Sequence, residues 1–371
     1  MQRRIMGRRI ALTIASLATI GLLATGCSSG ETPSESDGPA SGAFAAAEDV
    51  SIDVGLDAPI EIPAGQELKV AGFSASGNSW QNAFQKSMKD TVEAAGASFT
   101  QFDAKFDPQT QLDQLTTALT TGDFNAWILT SFDGDLVCDT VAEAAAKGIL
   151  VVTVPAPICD RDFNEWGEEY WQPGTLAAVD GTNSVTYVHS WMEAVDERTE
   201  AGEKVLFVGG PQTNPATVSS QAAWDDVFGA RDDLDLLPLS YTDFTAPTSL
   251  TIVQDVLAAN PDVTTILSFY TDITRGTLEA IDSAGLTGKV KVYDLGAEQF
   301  SIDSVKDGAL TFTVPYSPIE SGAAAAQAII DAYNGEDLPH FIDPLASNDL
   351  GSVEEPLVID SETVDSFTPT Y

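Results

Sequence analysis

From residue 67 onward the chain alternates between short apolar runs and segments with helical spacing. Of all the features of the sequence, this alternation most restricts the folds that the chain can adopt. The runs are apolar throughout rather than at every second position, which predicts strands covered on both faces. Such strands, with helices between them, form parallel, doubly wound sheets, so the sequence predicts an α/β fold. The nine runs are LKVAGF (68–73), ASFTQFD (97–103), AWILTS (126–131), ILVVTV (149–154), KVLFVG (204–209), LPLSYT (237–242), TTILSFY (264–270), VKVYDL (290–295) and ALTFTV (309–314).

Segments of helical spacing fill the intervals between these runs, and Gly or Asn-Pro marks several of their ends. The interval at 155–183 is unusually long and contains two tryptophans and a tyrosine, which predicts a functional connection rather than a disordered one. The patterned region of about 300 residues predicts two domains. The predicted helices cover residues 79–95, 108–121, 135–147, 183–200, 216–229, 248–259, 273–284 and 318–334.

Residues 1–26 have the character of an export signal. Four arginines precede an apolar stretch, Ile10 to Leu23, that is too short to span a bilayer comfortably. The next residues, LATGC, resemble the lipobox of bacterial lipoproteins and imply that Cys27 is lipidated; an ordinary cleaved signal is the alternative. Residues 27–66 open with a Ser-, Gly- and Pro-rich stretch and are predicted to be a flexible tether. We therefore expect an extracytoplasmic protein, lipid-anchored to the cell membrane.

The charge balance excludes some classes of partner. The chain has 17 Lys and Arg against 56 Asp and Glu, a formal net charge of −39. Nucleic-acid binding needs clustered basic residues, so no nucleic-acid partner is expected, and an anionic ligand is disfavoured as well. Most of the acidic residues are interpreted as a solvated, self-repelling surface.

Two cysteines remain after Cys27, at positions 138 and 159. In an exported protein an even pair is consistent with a disulfide between Cys138 and Cys159, but two buried free thiols fit the sequence equally well. No motif for a metal or a cofactor stands out, and we expect neither.

In open α/β sheets the ligand lies beyond the carboxyl ends of the strands, so the loops after the strands form the candidate site. These loops carry amides, carboxylates and flat aromatic rings, while Lys and His are missing from them. This chemistry suits a neutral polyhydroxylated ligand, because carboxylates and amides bond paired hydroxyls and rings cover C–H patches. The candidate ligand-binding residues are Ser74, Asn78, Ser79, Trp80, Asp133, Asp160, Arg161, Asn183, Gln212, Asn214, Phe244, Tyr270, Asp272, Asp294 and Glu298.

Several of these residues also have a purely structural interpretation. Asn78 or Ser79 can serve as the cap of the following helix. Trp80, Phe244 and Tyr270 can each belong to a hydrophobic core. The functional interpretation therefore depends on their convergence at the ends of the strands.

Two long stretches resemble the ribose-binding-protein group of periplasmic binding proteins, which serve sugar ABC importers. They are GFSASGNSWQNAFQKSMKDTVEAAG (72–96) and YTDFTAPTSLTIVQDVLAANPDVTTILSFYTDITRGTLEAIDSAG (241–285). The resemblance puts Ser74, Asn78 and Trp80 in the first-lobe site, with Phe244 at a ring-stacking position. Tyr270 falls at a position that is usually asparagine.

The resemblance also implies an architecture and a mechanism. Two parallel-sheet lobes, 67–182 plus 317–353 and 183–316 plus 354–371, are joined by three crossings near 180–183, 314–317 and 353–359. The lobes close on a solute like a hinge, and the closed monomer is presented to the membrane subunits of an ABC permease.

The chain departs from the group's pattern at positions that bind sugar. Pro155-Ala156 stands where sugar binders of the group often have Asp-Arg, and an Asp160-Arg161 pair follows a few residues later. The stretch PQTNPATVSSQAAW (211–224) lacks the second-lobe arginine, and Asp294 or Glu298 substitutes for an offset aspartate. These departures imply a ligand other than ribose.

Three other functions are alternatives to solute delivery. An enzyme is disfavoured because the only histidines, His189 and His340, fall away from the strand ends and no recognised nucleophile motif is present. A sensor that reports to a membrane receptor would use the same closed form. A non-sugar ligand such as a nucleoside also fits the loop chemistry.

Overall fold

The computed structural model of the protein describes residues 43–161 and 166–371. The predicted export signal and the predicted lipidation site, Cys27, lie outside the described residues. Among the helices of the described ranges, none combines the length and the apolar character needed to cross a membrane.

The described residues form fifteen short strands and ten α-helices. The strands are β1 (Val50–Ile52), β2 (Ile60–Ile62), β3 (Lys69–Ser74), β4 (Ser98–Asp103), β5 (Ala126–Leu129), β6 (Leu150–Thr153), β7 (Ala177–Val179), β8 (Lys204–Gly209), β9 (Asp235–Leu236), β10 (Ser240–Tyr241), β11 (Thr265–Ser268), β12 (Lys291–Gly296), β13 (Phe312–Pro315), β14 (Phe341–Ile342) and β15 (Ile359–Asp360). The helices are α1 (Ser79–Ala94), α2 (Pro108–Thr121), α3 (Gly134–Ala146), α4 (Val185–Asp196), α5 (Pro215–Val227), α6 (Ala246–Ala259), α7 (Thr271–Ser283), α8 (Gln299–Lys306), α9 (Pro318–Tyr333) and α10 (Pro344–Ser347).

Two sheets organise the fold into two lobes. The N-terminal lobe has a parallel sheet in the order β14-β7-β6-β5-β3-β4. The C-terminal lobe has the order β10-β8-β11-β12-β13-β15, with β9 also on β8, and only β15 runs antiparallel. Strands β5, β6, β11 and β13 are buried along their whole length, as expected for strands covered by helices on both faces. The predicted α/β fold with two parallel-sheet lobes is confirmed.

The chain passes between the two sheets three times. The first passage lies between β7 and α4, the second between β13 and α9, and the third between β14 and β15. Gly181 in the first passage lies against Val353 of the third, where an added Cβ would approach Val353 Cγ2 to 2.7 Å. Close packing of the crossings therefore requires glycine at this position.

The structure differs from the prediction of a flexible tether through residue 66. Strands β1 and β2 form an antiparallel hairpin in which Val50, Ile52, Ile60 and Ile62 are buried. This apolar face joins the core that includes Tyr333 of α9. The alternation of apolar and polar residues in VSI and IEI is a strand pattern that the surrounding Asp, Gly and Pro residues obscure.

A covalent bond fixes the first part of the connection after β6. Cys159 is joined to Cys138 of α3 by a disulfide, with their Cα atoms 5.1 Å apart. Further along the connection lie a 3₁₀ turn at Gly167–Tyr170 and then strand β7. The run predicted as one strand at 237–242 forms only the two-residue β10, and α4 begins at Val185 because the preceding residues belong to the first crossing.

Candidate functional site

A cavity lies between the two lobes, at the carboxyl ends of their parallel strands. Its empty volume is about 470 Å³ when the space that opens to solvent is included. Seven of its fifteen lining residues are aromatic, and none of the lining residues in the described ranges carries a charge. The lining consists of Asn78, Trp80, Gln81, Phe106, Thr130, Phe132, Pro155, Asn183, Asn214, Pro215, Ala216, Phe244, Phe269, Tyr270 and Tyr316.

Phe244 brings an aromatic ring from the C-terminal lobe into the cavity. Its backbone has φ of 62°, a left-handed conformation that is uncommon for an aromatic residue. The ring lies directly over Gly210, where an added Cβ would come within 2.0 Å of the ring atom Cζ. Across the cleft its centroid is 6.1 Å from that of Phe106. The left-handed backbone conformation at Phe244 and the absence of a side chain at Gly210 together hold this ring in place.

Tyr270 also has a positive φ, 91°, and its hydroxyl reaches the other lobe. The hydroxyl accepts from Trp80 N at 2.7 Å and lies 2.6 Å from Ser79 Oγ. Burial raises the pKa of the Tyr270 phenol well above its usual value, and the nearby Asp272 carboxylate adds to the increase. The phenol is therefore protonated and joins the C-terminal lobe to the first turn of α1.

Two carboxylates of the C-terminal lobe face the same end of α1. Asp272 Oδ2 accepts from Ser79 N at 3.1 Å, and Glu298 Oε2 accepts from Ser79 Oγ at 2.8 Å. Arg275 bridges the two, bonding Asp272 at 3.2 Å and also Glu298. Negative charge near a helix N-terminus is favourable, so this contact stabilises the arrangement in which the lobes meet. We call Ser79, Tyr270, Asp272, Arg275 and Glu298 the interlobe contact.

The amides that line the cavity also start helices. Asn78 is the N-cap of α1, with Oδ1 accepting from Gln81 N at 2.8 Å. Asn214 is the N-cap of α5, with Oδ1 accepting from Ala216 N at 3.0 Å. The structural and the functional interpretation of these residues are thus compatible, because capping uses the oxygen and leaves the amide nitrogen.

Trp80 combines a core position with a place in the lining. It is 3 % exposed and packs against Phe84 and Tyr316, with ring centroids 5.0 and 5.4 Å away. Its indole Nε1 and the hydroxyl of Thr130 are buried without a hydrogen-bond partner among the described residues. Because both residues line the cavity, a bound ligand can supply the missing partner to these atoms.

Other predicted site residues lie elsewhere. Ser74 is buried under the first loop, where its Oγ accepts from Gln85 and Gln101 of the same lobe. Gln212 is exposed and outside the lining. Asp294 is fully buried on β12 and accepts from Ser301 at 2.8 Å.

Three more predicted residues lie along an outer groove that adjoins the cavity rather than in the cavity itself. Asp133 is the N-cap of α3, bonded by Leu136 N, and Asp160 and Arg161 follow the disulfide. The Arg161 Nε donates to Gln172 Oε1 at 3.1 Å. The Asp-Arg pair therefore does not replace the pair that is missing at Pro155-Ala156, which itself contributes Pro155 to the lining.

The sequence did not single out several lining residues. Gln81 is the residue that directly follows Trp80 in helix α1. Tyr316 lies at the second crossing, where its OH donates to Asn183 Oδ1 at 2.6 Å. Thr130 lies near the end of the run AWILTS. Its position at the end of a strand was available as a signal, whereas the place of Tyr316 in the lining depends on the path of the second crossing, which the sequence does not reveal.

The fold and the cleft between the lobes define a class of protein that binds a solute between two domains. Residues 72–337 match the family model described as a periplasmic binding protein domain. The match covers most of the chain, and the chain belongs to this family. The predicted ribose-binding-protein-like character is confirmed.

Individual relatives are distant but cover most of the chain. The fructose import binding protein FruE of Bifidobacterium longum is 23% identical over 304 residues, 80% of this chain and 85% of that protein. The ribose import binding protein RbsB of Bacillus subtilis is 23% identical over 254 residues, 68% of this chain and 77% of that protein. A solved Caulobacter myo-inositol binding protein with bound myo-inositol has a TM-score of 0.69 at 18% identity, over 83% of this chain and 98% of that one.

Proposed function

We propose that this protein captures a small neutral solute between its lobes by hinge closure and delivers it to an ABC import permease. The observation that carries the proposal is the uncharged, largely aromatic cavity that both lobes line at the ends of their strands. A solute held there makes contacts with both lobes and so favours the closed form.

A sugar or a cyclic polyol is the first candidate ligand. The relatives named for fructose and ribose import, and the solved relative with bound myo-inositol, support this class. A non-sugar ring compound such as a nucleoside is the second candidate. It is favoured by the seven aromatic rings of the lining and by the absence of a carboxylate among the lining residues described.

The cellular setting follows from the same proposal. We infer an export signal at residues 1–26 and lipidation at Cys27, which would hold the folded part outside the cytoplasm on a membrane anchor. Labelling with a radioactive fatty acid in cells, with Cys27→Ala as the control, tests the anchor. We expect label on the wild-type chain only, and equal labelling of both chains would rule out Cys27 as the attachment site.

A thermal-shift screen of the chain from residue 28 to 371 tests solute capture. The panel contains pentoses, hexoses, cyclic polyols and nucleosides. A ligand at about 1,000 times its Kd stabilises the folded state by about 4 kcal/mol, which raises the Tm by several degrees. We expect at least one such hit in the wild type, reduced in Phe244→Ala. A folded sample with no hit in any class would contradict the proposal.

A further inference from the structure

Hydrogen bonds inside the protein fix the orientation of three amides that line the cavity. The oxygens of Asn78 and Asn214 accept from backbone N–H groups, and Gln81 Oε1 accepts from Ala75 N at 3.4 Å. A backbone N–H can only donate, so in each amide the bonded atom is the oxygen. The NH₂ groups of all three remain without a partner among the described residues.

Two more lining residues supply donors. The Tyr316 hydroxyl donates to Asn183 Oδ1 at 2.6 Å, which leaves the NH₂ group of Asn183 unused. The Trp80 indole N–H is buried and has no acceptor within residues 43–161 and 166–371. The polar part of the lining therefore offers N–H groups from five residues.

The strong hydrogen-bond acceptors that lie near the cavity are already engaged by other groups of the protein. Asp272 and Glu298 are engaged by Ser79 and Arg275 in the interlobe contact. None of the described lining side chains is a carboxylate, and the amide oxygens each already accept one bond, so the Thr130 hydroxyl and the second lone pairs of the amide oxygens are the side-chain acceptors that remain. A hydroxyl-rich sugar brings several donors, and each one left without an acceptor after burial lowers affinity about tenfold.

We propose that the ligand is a flat, neutral ring compound that is rich in hydrogen-bond acceptors and poor in donors. Carbonyl, ether or ring-nitrogen atoms at its edge bond the N–H groups of Asn78, Asn214 and Trp80. Its faces are covered by the aromatic rings of the two lobes, including Phe106 and Phe244. The inference rests on the proposed capture of a solute in this cavity and selects among the solutes that the cavity can hold.

Calorimetric titration with matched compounds tests this inference. The two pairs are uracil with 1,3-dimethyluracil, and D-xylose with its tetra-O-methyl ether; each pair differs in N–H or O–H donors. We expect the donor-free member of at least one pair to bind at least tenfold more tightly than its partner. If neither methylated compound binds at least tenfold more tightly than its partner, or if none of the four binds to folded protein, the inference is overturned.

The outcomes separate this inference from the proposed function. A hydroxyl-rich sugar that gives the strongest hit in the thermal-shift screen, sensitive to Phe244→Ala, overturns the donor-poor ligand and leaves solute capture intact. Failure of the four compounds together with an empty screen overturns both.

Isosteric variants test the direction of the hydrogen bonds. Asn78→Asp and Asn214→Asp keep the capping oxygen but replace the free NH₂ group by an acceptor. With the tightest binder of the four compounds, we expect each variant to bind at least tenfold more weakly. Asn82→Asp, exposed on the same helix, adds the same charge outside the cavity and is the control with unchanged affinity. Equal or tighter binding by Asn78→Asp and Asn214→Asp would show that the ligand donates there, contradicting the inference.

Discussion

Phe244 is the side chain on which we expect solute capture to depend most clearly. Its ring is held by a left-handed backbone over a bare glycine, and it is buried without belonging to the centre of either sheet. Strain of this kind persists where the surrounding structure maintains it for function. Trp80 belongs to the same hydrophobic core as Phe244 and is fixed by packing against Phe84 and Tyr316.

Replacing Phe244 with alanine should weaken binding of the solute by about 1–3 kcal/mol, because a buried aromatic contact is lost. The free energy of unfolding should change less than in Trp80→Ala, which opens a core cavity and costs about 3–5 kcal/mol. Titration calorimetry and chemical denaturation measure the two effects. Phe124→Ala, at the opposite end of β5, is the control, and loss of affinity there equal to that in Phe244→Ala would argue against the placement of the site.

Asp294 should make the stability of the fold depend on pH. Burial raises its pKa from 3.8 to about 6, although hydrogen bonds from Thr313 and Ser301 act in the opposite direction. Between these values the native state binds more protons than the unfolded state, so the free energy of unfolding falls as pH rises from about 4 to 6 and then levels off. Asp180 at the first crossing should change the free energy of unfolding with pH in the same direction, because burial raises its pKa to about 6 as well.

In Asp294→Asn we expect the decline in the free energy of unfolding between pH 4.5 and 7.5 to be smaller by about 2 kcal/mol. Urea denaturation across this range measures it. The exposed Asp303→Asn on α8 controls for the loss of one negative charge. Parallel pH profiles for wild type and Asp294→Asn would contradict the view that the raised pKa of Asp294 causes this pH dependence.

The candidate site was predictable from the sequence only where a residue type and a strand end coincide. Asn78, Asn214 and Phe244 satisfied both conditions and line the cavity. Ser74 and Asp294 satisfied them too, but their side chains point into the interior of their lobes, which a one-dimensional pattern does not reveal. Tyr316 escaped notice because its position depends on how the second crossing runs between the lobes.

Among the secondary-structure elements, the long sheets followed from the sequence and the short pieces did not. Apolar runs such as AWIL and LVVT are buried strands because both faces are covered. The hairpin of β1 and β2 escaped prediction because each strand has three residues and the residues around it favour loops. The crossings of the chain determine where β14 and β15 pair, far from their neighbours in sequence.

The disulfide between α3 and the connection after β6 should stabilise the fold. It closes a loop with a sequence separation of 21 residues, for which the loss of chain entropy in the unfolded state is worth about 3 kcal/mol. The double variant Cys138→Ser/Cys159→Ser should therefore unfold at a lower denaturant concentration. Reduction of the wild type should reproduce the shift and leave the double variant unaffected; a wild type insensitive to reductant would contradict the bond.

The interlobe contact should bias the molecule toward its closed form. Tyr270→Phe keeps the ring in the lining but removes the hydroxyl that bonds Trp80 N and lies beside Ser79 Oγ. Each lost bond is worth about 0.5–1.5 kcal/mol, so we expect the apparent affinity for solute to fall several-fold as the open form gains population. Tyr241→Phe, whose hydroxyl bonds Gln221 within the C-terminal lobe, is the control. Unchanged affinity in Tyr270→Phe would indicate that the contact does not govern closure.

Across the whole molecule, two sheets joined by three crossings form two lobes with a cavity between them. Under the proposed capture by hinge closure, the lobes would rotate at these crossings, where Gly181 packs against Val353. The formal net charge of the whole chain is −39, and a surface of this sign is expected to disfavour anionic solutes.

Small-angle X-ray scattering with and without the tightest-binding solute tests closure most directly. With saturating solute we expect a radius of gyration equal to that calculated for the described fold, and without solute a larger value from an added open population. Phe244→Ala should require more solute for the same contraction. Identical scattering with and without bound solute would contradict capture by hinge closure between the lobes.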